Sequence, residues 1–165
     1  IDTLDFTGES QHKGSKMIIN ATTYKEKIPR PKAVPLPANI DVLVQGINNV
    51  RLIGNTLLVV QTKSDGKRII NDLVKHPLMK QLKIIVAVSD DIDITNNTDL
   101  LWGIFTRFDP AIDVTFEKID FNGIKPVYEG VMGIDATWKS TYPESLKMDE
   151  SVIRKVELNW DSYWN

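Results

Sequence analysis

Runs of apolar, mostly β-branched residues predict four strands along the middle of the chain. They cover residues 40–45, 56–61, 83–88 and 112–118, and glycine and asparagine residues separate the first two runs. The residues from Ile84 to Val88 are apolar without a break, which is typical of a strand that is buried on both faces of a parallel sheet.

Helical spacing of apolar residues predicts two helices between these strands. The first helix follows a candidate N-cap at residues 64–66 and ends before Pro77, and its apolar face comprises Ile69, Ile70, Leu73 and Val74. The second begins near residues 95–98 and ends at Asp109-Pro110. Trp102 belongs to this core helix, whose apolar stripe comprises Leu100, Leu101, Ile104, Phe105 and Phe108.

The end of the chain has the strongest helical pattern. Asp149 can cap a helix with an apolar face, which comprises Val152, Ile153, Val156, Trp160 and Tyr163. Trp160, Tyr163 and Trp164 crowd this end, and aromatic side chains are enriched in protein interfaces. The helix can therefore pack on its own domain or serve as an oligomerisation helix, and the sequence leaves both alternatives open.

Two stretches lack a regular apolar pattern. Residues 1–39 contain four proline residues from Pro29 to Pro37, so we expect an extended arm with one short strand near residues 16–20. This arm is either a linker or a segment that docks on a neighbouring domain or subunit. Residues 119–147 are predicted to be rich in loops because they contain Gly123, Pro126, Gly130, Gly133 and Pro143.

The order of these elements predicts an α/β fold. We expect a mixed, largely parallel central sheet with flanking helices, an N-terminal extended arm and a C-terminal amphipathic helix. The predicted organisation is an arm over residues 1–39, an α/β domain over 40–147 and a terminal helix over 148–165. The first residue is Ile rather than Met, so we expect a domain of a longer protein or a processed chain.

Composition narrows the class of protein. The 165 residues are 42% hydrophobic and 25% charged with a net charge of −2, which argues against a disordered chain and against a dedicated nucleic-acid binder. No apolar run approaches the length of a transmembrane helix, and no signal peptide is visible. The chain has no cysteine, which excludes disulfides, thiolate nucleophiles and cysteine–zinc sites and favours a cytoplasmic location.

An acidic cluster follows the most apolar strand. Asp90, Asp91 and Asp93 come directly after this strand, where open α/β sheets bind their ligands. They can stabilise the turn, face a substrate or hold Mg²⁺, and the structural role is favoured because aspartate is common in such turns. No metal site is therefore assigned.

Arg107 and Asp109 lie at the predicted end of the second helix. The negative end of the helix dipole favours a cation such as Arg107 at this position. Arg107 can also pair with Asp90 or Asp91, either as a stabilising ion pair or as part of an anion clamp. Residues 130–137 contain two glycines but do not follow the nucleotide-binding fingerprint, so we expect a tight turn there. His12 and His76 stand in no catalytic or zinc-binding motif, and structural or solvated roles are expected for both.

Three ordered motifs give the sequence a family resemblance. They are Asp90-Asp91-Ile92-Asp93, the segment from Leu101 to Ala111, and the segment from Gly133 to Lys139. Together they resemble the C-terminal region of the UbiD family of decarboxylases, which includes the 3-polyprenyl-4-hydroxybenzoate carboxy-lyases. The opening residues 2–8 and 14–16 resemble longer members that lie near menaquinone synthesis. Gly103 and Ile112 are minor departures from the family's pattern.

The resemblance implies a parent enzyme that removes CO₂ from an aromatic or α,β-unsaturated carboxylic acid, in the biosynthesis of ubiquinone or menaquinone. It implies prenylated FMN with Mn²⁺ or Mg²⁺ and K⁺ as the cofactors of that parent, and an upstream catalytic domain in the same polypeptide. It implies that the C-terminal domain covers the active site and helps to build a homo-oligomer.

The family's catalytic, flavin-binding and metal-binding motifs lie upstream of this region, so no catalytic residue is assigned here and the isolated chain is expected to be inactive. The residues of these motifs that remain as substrate-facing or structural candidates are Asp90, Asp91, Asp93, Arg107, Asp109, Asp135 and Lys139. Two alternatives stay open: a free-standing α/β interaction or regulatory module without catalysis, and a small nucleotide-binding protein.

Overall fold

The computed structural model describes residues 40–142 and 148–164. The elements in chain order are α1 (Ile40–Leu43), β1 (Ile47–Ile53), β2 (Leu57–Thr62), α2 (Gly66–Lys75), β3 (Ile84–Ser89), α3 (Asn97–Phe105), β4 (Val114–Asn122), β5 (Lys125–Ala136) and α4 (Glu150–Asn159). Short 3₁₀ turns cover Pro77–Met79 and Trp160–Tyr163. The predicted arm over residues 1–39 lies outside the described residues, and so does its short strand.

One mixed sheet with the strand order β1-β2-β3-β5-β4 forms the centre of the fold. The pairs β2–β3 and β3–β5 are parallel, whereas the outer pairs β1–β2 and β5–β4 are antiparallel. This arrangement confirms the predicted α/β class and the sheet that is parallel in its middle. β3 is buried on both faces, as its unbroken apolar sequence predicts.

Helices cover both faces of the sheet, and Ile40 of α1 joins α2 on its side. On one face, α2 buries Ile69, Ile70, Leu73 and Val74 against the strands, and on the other face α3 buries Leu100 and Ile104. A Cβ atom at Gly133 would lie 2.5 Å from Ile70 Cγ2, so only glycine lets α2 approach β5 this closely. Gly103 is equally confined, because its Cβ would lie 2.6 Å from Ile92 Cδ1.

Two predicted elements are wrong. Residues 40–43 form α1 rather than a strand, and the first strand starts at Ile47 and includes the polar residues Asn48 and Asn49. β1 is an edge strand, and several of its residues are exposed to solvent. The prediction looked for an unbroken apolar run, which a strand at the edge of a sheet does not need.

The predicted loop-rich region contains the longest strand. Residues 119–136 continue β4 and form β5, and the turn between the two strands lies at Gly123-Ile124. Gly130 has a φ of +81° where the register of the β4–β5 pair shifts, so this glycine marks a bulge inside a strand rather than a loop.

The predicted core stripe of α3 is only partly correct. Leu100, Ile104 and the following Phe108 are buried, but Leu101, Phe105 and Trp102 are more than half exposed. The sequence of α3 is apolar nearly all round, whereas the sheet covers only one side of the helix. Trp102 therefore does not belong to the core.

The terminal helix forms as predicted, and Asp149 caps it by accepting a hydrogen bond from the backbone N–H of Ser151. No residue of α4 or of the turn that follows is buried. Neither α4 nor any other helix in the described part of the chain is long and apolar enough to cross a membrane.

Candidate functional site

A cleft opens at the carboxyl ends of β2, β3 and β5. Its volume is about 340 Å³, and its lining comprises Lys63, Ser64, Asp65, Ser89, Asp90, Asp91, Thr137 and Trp138. The parallel centre of the sheet explains this position, because parallel strands end at one edge and their following loops meet there. Of the acidic cluster, Asp90 and Asp91 line this cleft.

Arg107 joins the two sides of this cleft. Its guanidinium donates two hydrogen bonds of 2.7 Å to the carboxylate of Asp91, one to each oxygen. The same guanidinium lies over the ring of Trp138, with 4.9 Å between its carbon and the ring centroid. Arg107 is buried, whereas the side chain of Asp91 is 56% exposed, so the contact lies at the surface of the cleft. The predicted pairing of Arg107 with one of the two aspartates is therefore Arg107–Asp91.

Lys139 connects three segments beneath the cleft. Its Nζ donates hydrogen bonds to the backbone carbonyls of Asp135 (2.7 Å) and Thr137 (3.0 Å), and a longer one to that of Arg107 (3.4 Å). The same Nζ lies 3.6 Å from a carboxylate oxygen of Asp113 and 3.4 Å from one of Asp135. Both carboxylates are buried, so Lys139 supplies the positive charge that lets them stay there.

Asp135 lies beside the N-terminal end of α2. Its Oδ1 accepts hydrogen bonds from the backbone N–H (3.1 Å) and the hydroxyl (2.6 Å) of Thr137. A Cβ at Gly66, the first residue of α2, would lie 2.3 Å from this same oxygen. The positive end of the helix dipole stabilises a carboxylate at this position. The carboxylate of Asp135 therefore lies beside the first residue of α2.

Burial shifts the pKa of two groups beside Lys139. Desolvation raises the pKa of Asp113, and the backbone N–H of Asp109, which donates to Asp113 Oδ2 at 2.8 Å, opposes this shift. Desolvation also raises the pKa of Tyr142 to about 12, with further contributions from the nearby carboxylates, first Asp113 and then Asp109. Tyr142 therefore stays protonated at neutral pH.

The acidic cluster does not converge on one point. Asp93 Oδ1 accepts hydrogen bonds from the backbone N–H and the hydroxyl of Thr95, and these bonds hold the pKa of Asp93 below its usual range. Asp91 pairs with Arg107, while Asp90 lines the cleft. Across residues 40–142 and 148–164, no three carboxylate or imidazole groups lie close enough to hold a metal ion.

Other candidates have structural positions. The backbone N–H of Ala111 donates to Asp109 Oδ1 at 2.8 Å, within the turn that leads from α3 to β4. His76 follows α2 and accepts a hydrogen bond from the backbone N–H of Leu78, whereas His12 lies outside the described residues. Residues 130–136 belong to β5, so the tight turn expected there is wrong. Their functional roles stay predictions, as do those of the other motif residues.

Sequence reasoning did not select Asp113, Thr137 or Trp138 as site residues, and it also missed four residues that line the cleft: Lys63, Ser64, Asp65 and Ser89. For Thr137 the sequence does contain a signal. Asp135, Thr137 and Lys139 alternate at the end of an apolar strand, and this spacing places polar side chains where the strand ends. The sequence contains no such signal for Asp113, because only the fold brings this residue close to Lys139.

Comparison with known proteins identifies the family. A model of the 3-octaprenyl-4-hydroxybenzoate carboxy-lyase C-terminal domain matches residues 34–136. A relative from Chlamydia pneumoniae, named as one of the subunits of 4-hydroxybenzoate decarboxylase, is 32% identical over 167 residues, which cover 99% of this chain and 27% of the relative. The chain thus spans about a quarter of the length of the curated relatives it matches.

Two solved structures have a similar fold. The closed form of vanillic acid decarboxylase from Sedimentibacter hydroxybenzoicus is 22% identical with a TM-score of 0.54, over 76% of this chain and 31% of that one. The UbiD-class enzyme HmfF from Pelotomaculum thermopropionicum, in complex with FMN, is 20% identical with a TM-score of 0.52, over 72% and 30%. With the family match over residues 34–136, the chain belongs to the family of UbiD C-terminal domains.

Proposed function

We propose that this chain is the C-terminal domain of a prenylated-FMN-dependent, non-oxidative decarboxylase. The parent enzyme acts on an aromatic or α,β-unsaturated carboxylic acid in the biosynthesis of a quinone, in the cytoplasm. The domain serves as a lid and as an assembly element, and the isolated chain is inactive. The family match over residues 34–136 is the observation that carries this proposal.

The chemistry of the cleft supports an inactive isolated domain. Arg107 is bound to Asp91, and Lys139 is bound to three carbonyls and two carboxylates. These charged groups hold loops together, and in this arrangement they do not form a general acid and base facing a shared substrate position. The remaining part of a longer protein therefore supplies the catalytic groups in this proposal.

The described residues also do not fit the phosphate of a flavin. The cleft carries Asp65, Asp90 and Asp91 against one lysine, Lys63, so its charge disfavours an anion. The N-terminal end of α2 would otherwise attract a phosphate, but the carboxylate of Asp135 lies beside it and repels an anion. In the parent enzyme, prenylated FMN with Mn²⁺ or Mg²⁺ and K⁺ would bind upstream, and no step is assigned to this domain's own residues.

The role as a lid rests on rigidity and on an uncovered surface. The Arg107 and Lys139 contacts join the ends of β3, α3 and β5, so the cleft edge can move as one body. The outer side of α3 exposes Leu101, Trp102 and Phe105, which together form an apolar surface. In this proposal the upstream domain covers that surface when the lid is closed.

The catalytic part of the proposal is tested by comparing the decarboxylase activity of two proteins. We would compare the isolated chain with a longer protein that also contains the upstream region, each supplied with prenylated FMN, Mn²⁺ and K⁺, and measure CO₂ release from 4-hydroxybenzoate derivatives and other aromatic acids. We expect release only from the longer protein. Release by the isolated chain would show that it is not inactive, and no release by the longer protein would contradict the decarboxylase function.

Flavin binding gives an independent check on the same proteins. Titration of FMN fluorescence should show no saturable binding to the isolated chain, because its cleft is acidic. Tight binding to the isolated chain would contradict the upstream location of the flavin site.

The assembly role is tested at the terminal helix. Trp160 and Trp164 are both more than half exposed, and their rings contact each other edge to face at 5.6 Å. Replacing both with Ala should weaken self-association and leave the helical signal in circular dichroism unchanged, because neither side chain packs in the core. If light scattering gave an unchanged mass, α4 would not be an assembly surface.

A further inference from the structure

The N-terminal residues of the chain repeat the sequence of the β4–β5 hairpin. Residues 1–22 align with residues 116–137 without a gap, and every residue lies 115 positions before its counterpart, as Met17 does before Met132. Seven of the 22 aligned positions are identical, and they fall both at the turn and along the second strand. The identical residues are Asp5, Phe6, Gly8, Met17, Ile19, Ala21 and Thr22, and their counterparts are Asp120, Phe121, Gly123, Met132, Ile134, Ala136 and Thr137. A match in one register over two separate stretches is typical of an internal repeat.

Some of the identical residues are ones on which the structure of the hairpin depends. Gly123 has a φ of +64° in the turn between β4 and β5, a conformation that favours glycine, and its counterpart is Gly8. Ile134 is buried in the core on the α3 side of the sheet, and its counterpart is Ile19. The repeat therefore retains both the turn and an apolar residue that a neighbouring layer must cover.

The turn that ends β5 is also retained. In this turn the carboxylate of Asp135 accepts hydrogen bonds from the N–H and the hydroxyl of Thr137. The segment Asn20–Thr22 carries the groups for the same bonds, because an amide oxygen accepts hydrogen bonds as a carboxylate does. Lys139, which donates to the carbonyls of Asp135 and Thr137, has its counterpart in Lys25, after one inserted residue. The closing turn therefore keeps its hydrogen-bonding groups and loses one negative charge.

Among the described residues, the sheet has no central place for a second hairpin of this kind. β5 lies between β3 and β4, and β3 lies between β2 and β5, so each of these inner strands already has two neighbours. A two-stranded hairpin alone is at best marginally stable in water. A second hairpin with the sequence of β4 and β5 therefore needs a second sheet.

The family match leaves room for that sheet ahead of this domain. It covers residues 34–136 and ends at Ala136, whose counterpart is Ala21. A preceding domain of the same kind would thus end within residues 1–33, which lie outside the matched range. The chain spans only 27% of its Chlamydia pneumoniae relative, and a protein of that length can hold a further domain.

We propose that residues 1–25 are the last hairpin and the closing turn of a preceding copy of this fold, so that the parent polypeptide carries two copies in tandem, joined by residues 26–39. The two copies do not carry the same site. Asn20 is a neutral amide where this copy buries the carboxylate of Asp135, so the end of that strand repels an anionic ligand less. The inference rests on the proposed function only in requiring a longer protein.

A second difference between the copies places a condition on the upstream sequence. Ile18 stands where this domain has Gly133. Here, a Cβ at Gly133 would lie 2.5 Å from Ile70 Cγ2 and 2.6 Å from Val74 Cγ2. The preceding copy therefore needs smaller side chains at these two helix positions, or a helix that lies farther from the sheet. A linker would place no such condition on an upstream helix.

Hydrogen exchange tests the proposal on two proteins, the 165-residue chain and the longer protein that also contains the upstream region. We expect the amides of residues 17–22 to exchange slowly only in the longer protein, because only there is their sheet present. Residues 132–137 should exchange slowly in both proteins and serve as the control. Fast exchange of residues 17–22 in both proteins would identify a linker, and slow exchange in both would show that this domain holds the segment itself. Either result would overturn the proposal.

A pair of substitutions in the longer protein tests the aligned register. Ile19→Asn changes the counterpart of buried Ile134 and should speed exchange across residues 17–22 about tenfold or more. Ser10→Asn is the matched control, because its counterpart Lys125 is exposed beside the hairpin turn, and exchange should stay unchanged. Equal effects of the two substitutions would contradict the register.

The coding sequence before Ile1 gives an independent check. At the same spacing, the counterpart of Arg107 lies about nine residues before Ile1, and that of Asp91 about 25 residues before it. We therefore expect an acidic cluster followed by Arg-x-Asp-Pro in this region. A sequence with neither motif in the roughly 50 residues before Ile1 would overturn the tandem copy. It would leave the decarboxylase function untouched, because that function is tested by CO₂ release from the longer protein.

Discussion

Replacing Lys139 with Met should lower the free energy of unfolding by about 3–5 kcal/mol, because it removes one partner of a buried ion pair. Lys139 is the cation within 3.6 Å of two carboxylates, those of Asp113 and Asp135, whose side chains are only 7% and 6% exposed. Without it, both negative charges remain buried, and three backbone carbonyls lose a hydrogen-bond donor. A loss of this size corresponds to a fall in Tm of roughly 10–20 °C.

Urea unfolding, followed by circular dichroism, measures this difference. Lys80→Met is a matched control, because Lys80 is 60% exposed and forms one ion pair with Glu117 at 3.3 Å. An exposed pair contributes at most about 1 kcal/mol, so the control should unfold almost as the natural chain does. A Lys139→Met chain that loses less than about 1 kcal/mol would refute the view that Lys139 is needed to bury these carboxylates.

The pH dependence provides a second test of the same reasoning. Burial raises the pKa of Asp113 above its value in the unfolded chain, so ionised Asp113 opposes folding, and this cost disappears as the pH falls through the raised pKa. Removing Lys139 enlarges the cost at neutral pH. The stability difference between Lys139→Met and the natural chain should therefore narrow as the pH is lowered from about 7 toward about 4. A constant difference over this range would contradict the electrostatic explanation.

Three further substitutions test other parts of the fold. Arg107→Lys should cost about 1–3 kcal/mol in the same unfolding assay, because lysine cannot reproduce the two-bond contact with Asp91 or the planar contact with Trp138, and an unchanged stability would contradict the geometry. Gly103→Ala should destabilise the chain although alanine favours helices by about 1 kcal/mol, since its Cβ would collide with Ile92; a gain in stability would show that this side of α3 has free space. In an alkaline absorbance titration, one tyrosine should ionise near pH 12, and Tyr142→Phe should abolish that step while leaving the others.

Much of the fold could be predicted where local pattern and packing agree. The strand at Ile84–Ser89 and the helix at Gly66–Lys75 have sequences that match their surroundings, since β3 is covered on both sides and α2 on one. The cap at Asp149 is a short-range signal and is equally clear.

The errors arise where tertiary contacts override local preference. Gly133 looks like a loop residue, yet it lies inside β5 because α2 needs the space of its missing side chain. The apolar residues of α3 all match a core pattern, but the sheet covers only one side of that helix. An isolated sequence does not show which apolar side chains its own domain leaves uncovered.

The candidate site is predictable in its acidic part and not in its centre. The pairing of Asp91, just after β3, with Arg107, just after α3, could be predicted because the two opposite charges are separated by only one short helix. Lys139 and Asp113 are distant in the sequence and come together only when β4 pairs with β5. Their contact depends on long-range strand pairing, for which a short motif gives no signal.

The arrangement of the sheet also determines the order in which the domain can fold. β1–β2 and β4–β5 are hairpins with short turns, so each can close early at a small cost in chain entropy. The parallel contact between β3 and β5, by contrast, joins Ile84 to Met132 across α3 and the whole second hairpin, and such distant pairings form slowly. Until that step, Lys139 and the end of β3 remain apart and the cleft does not exist. The slow stage of folding is therefore also the stage that creates the site.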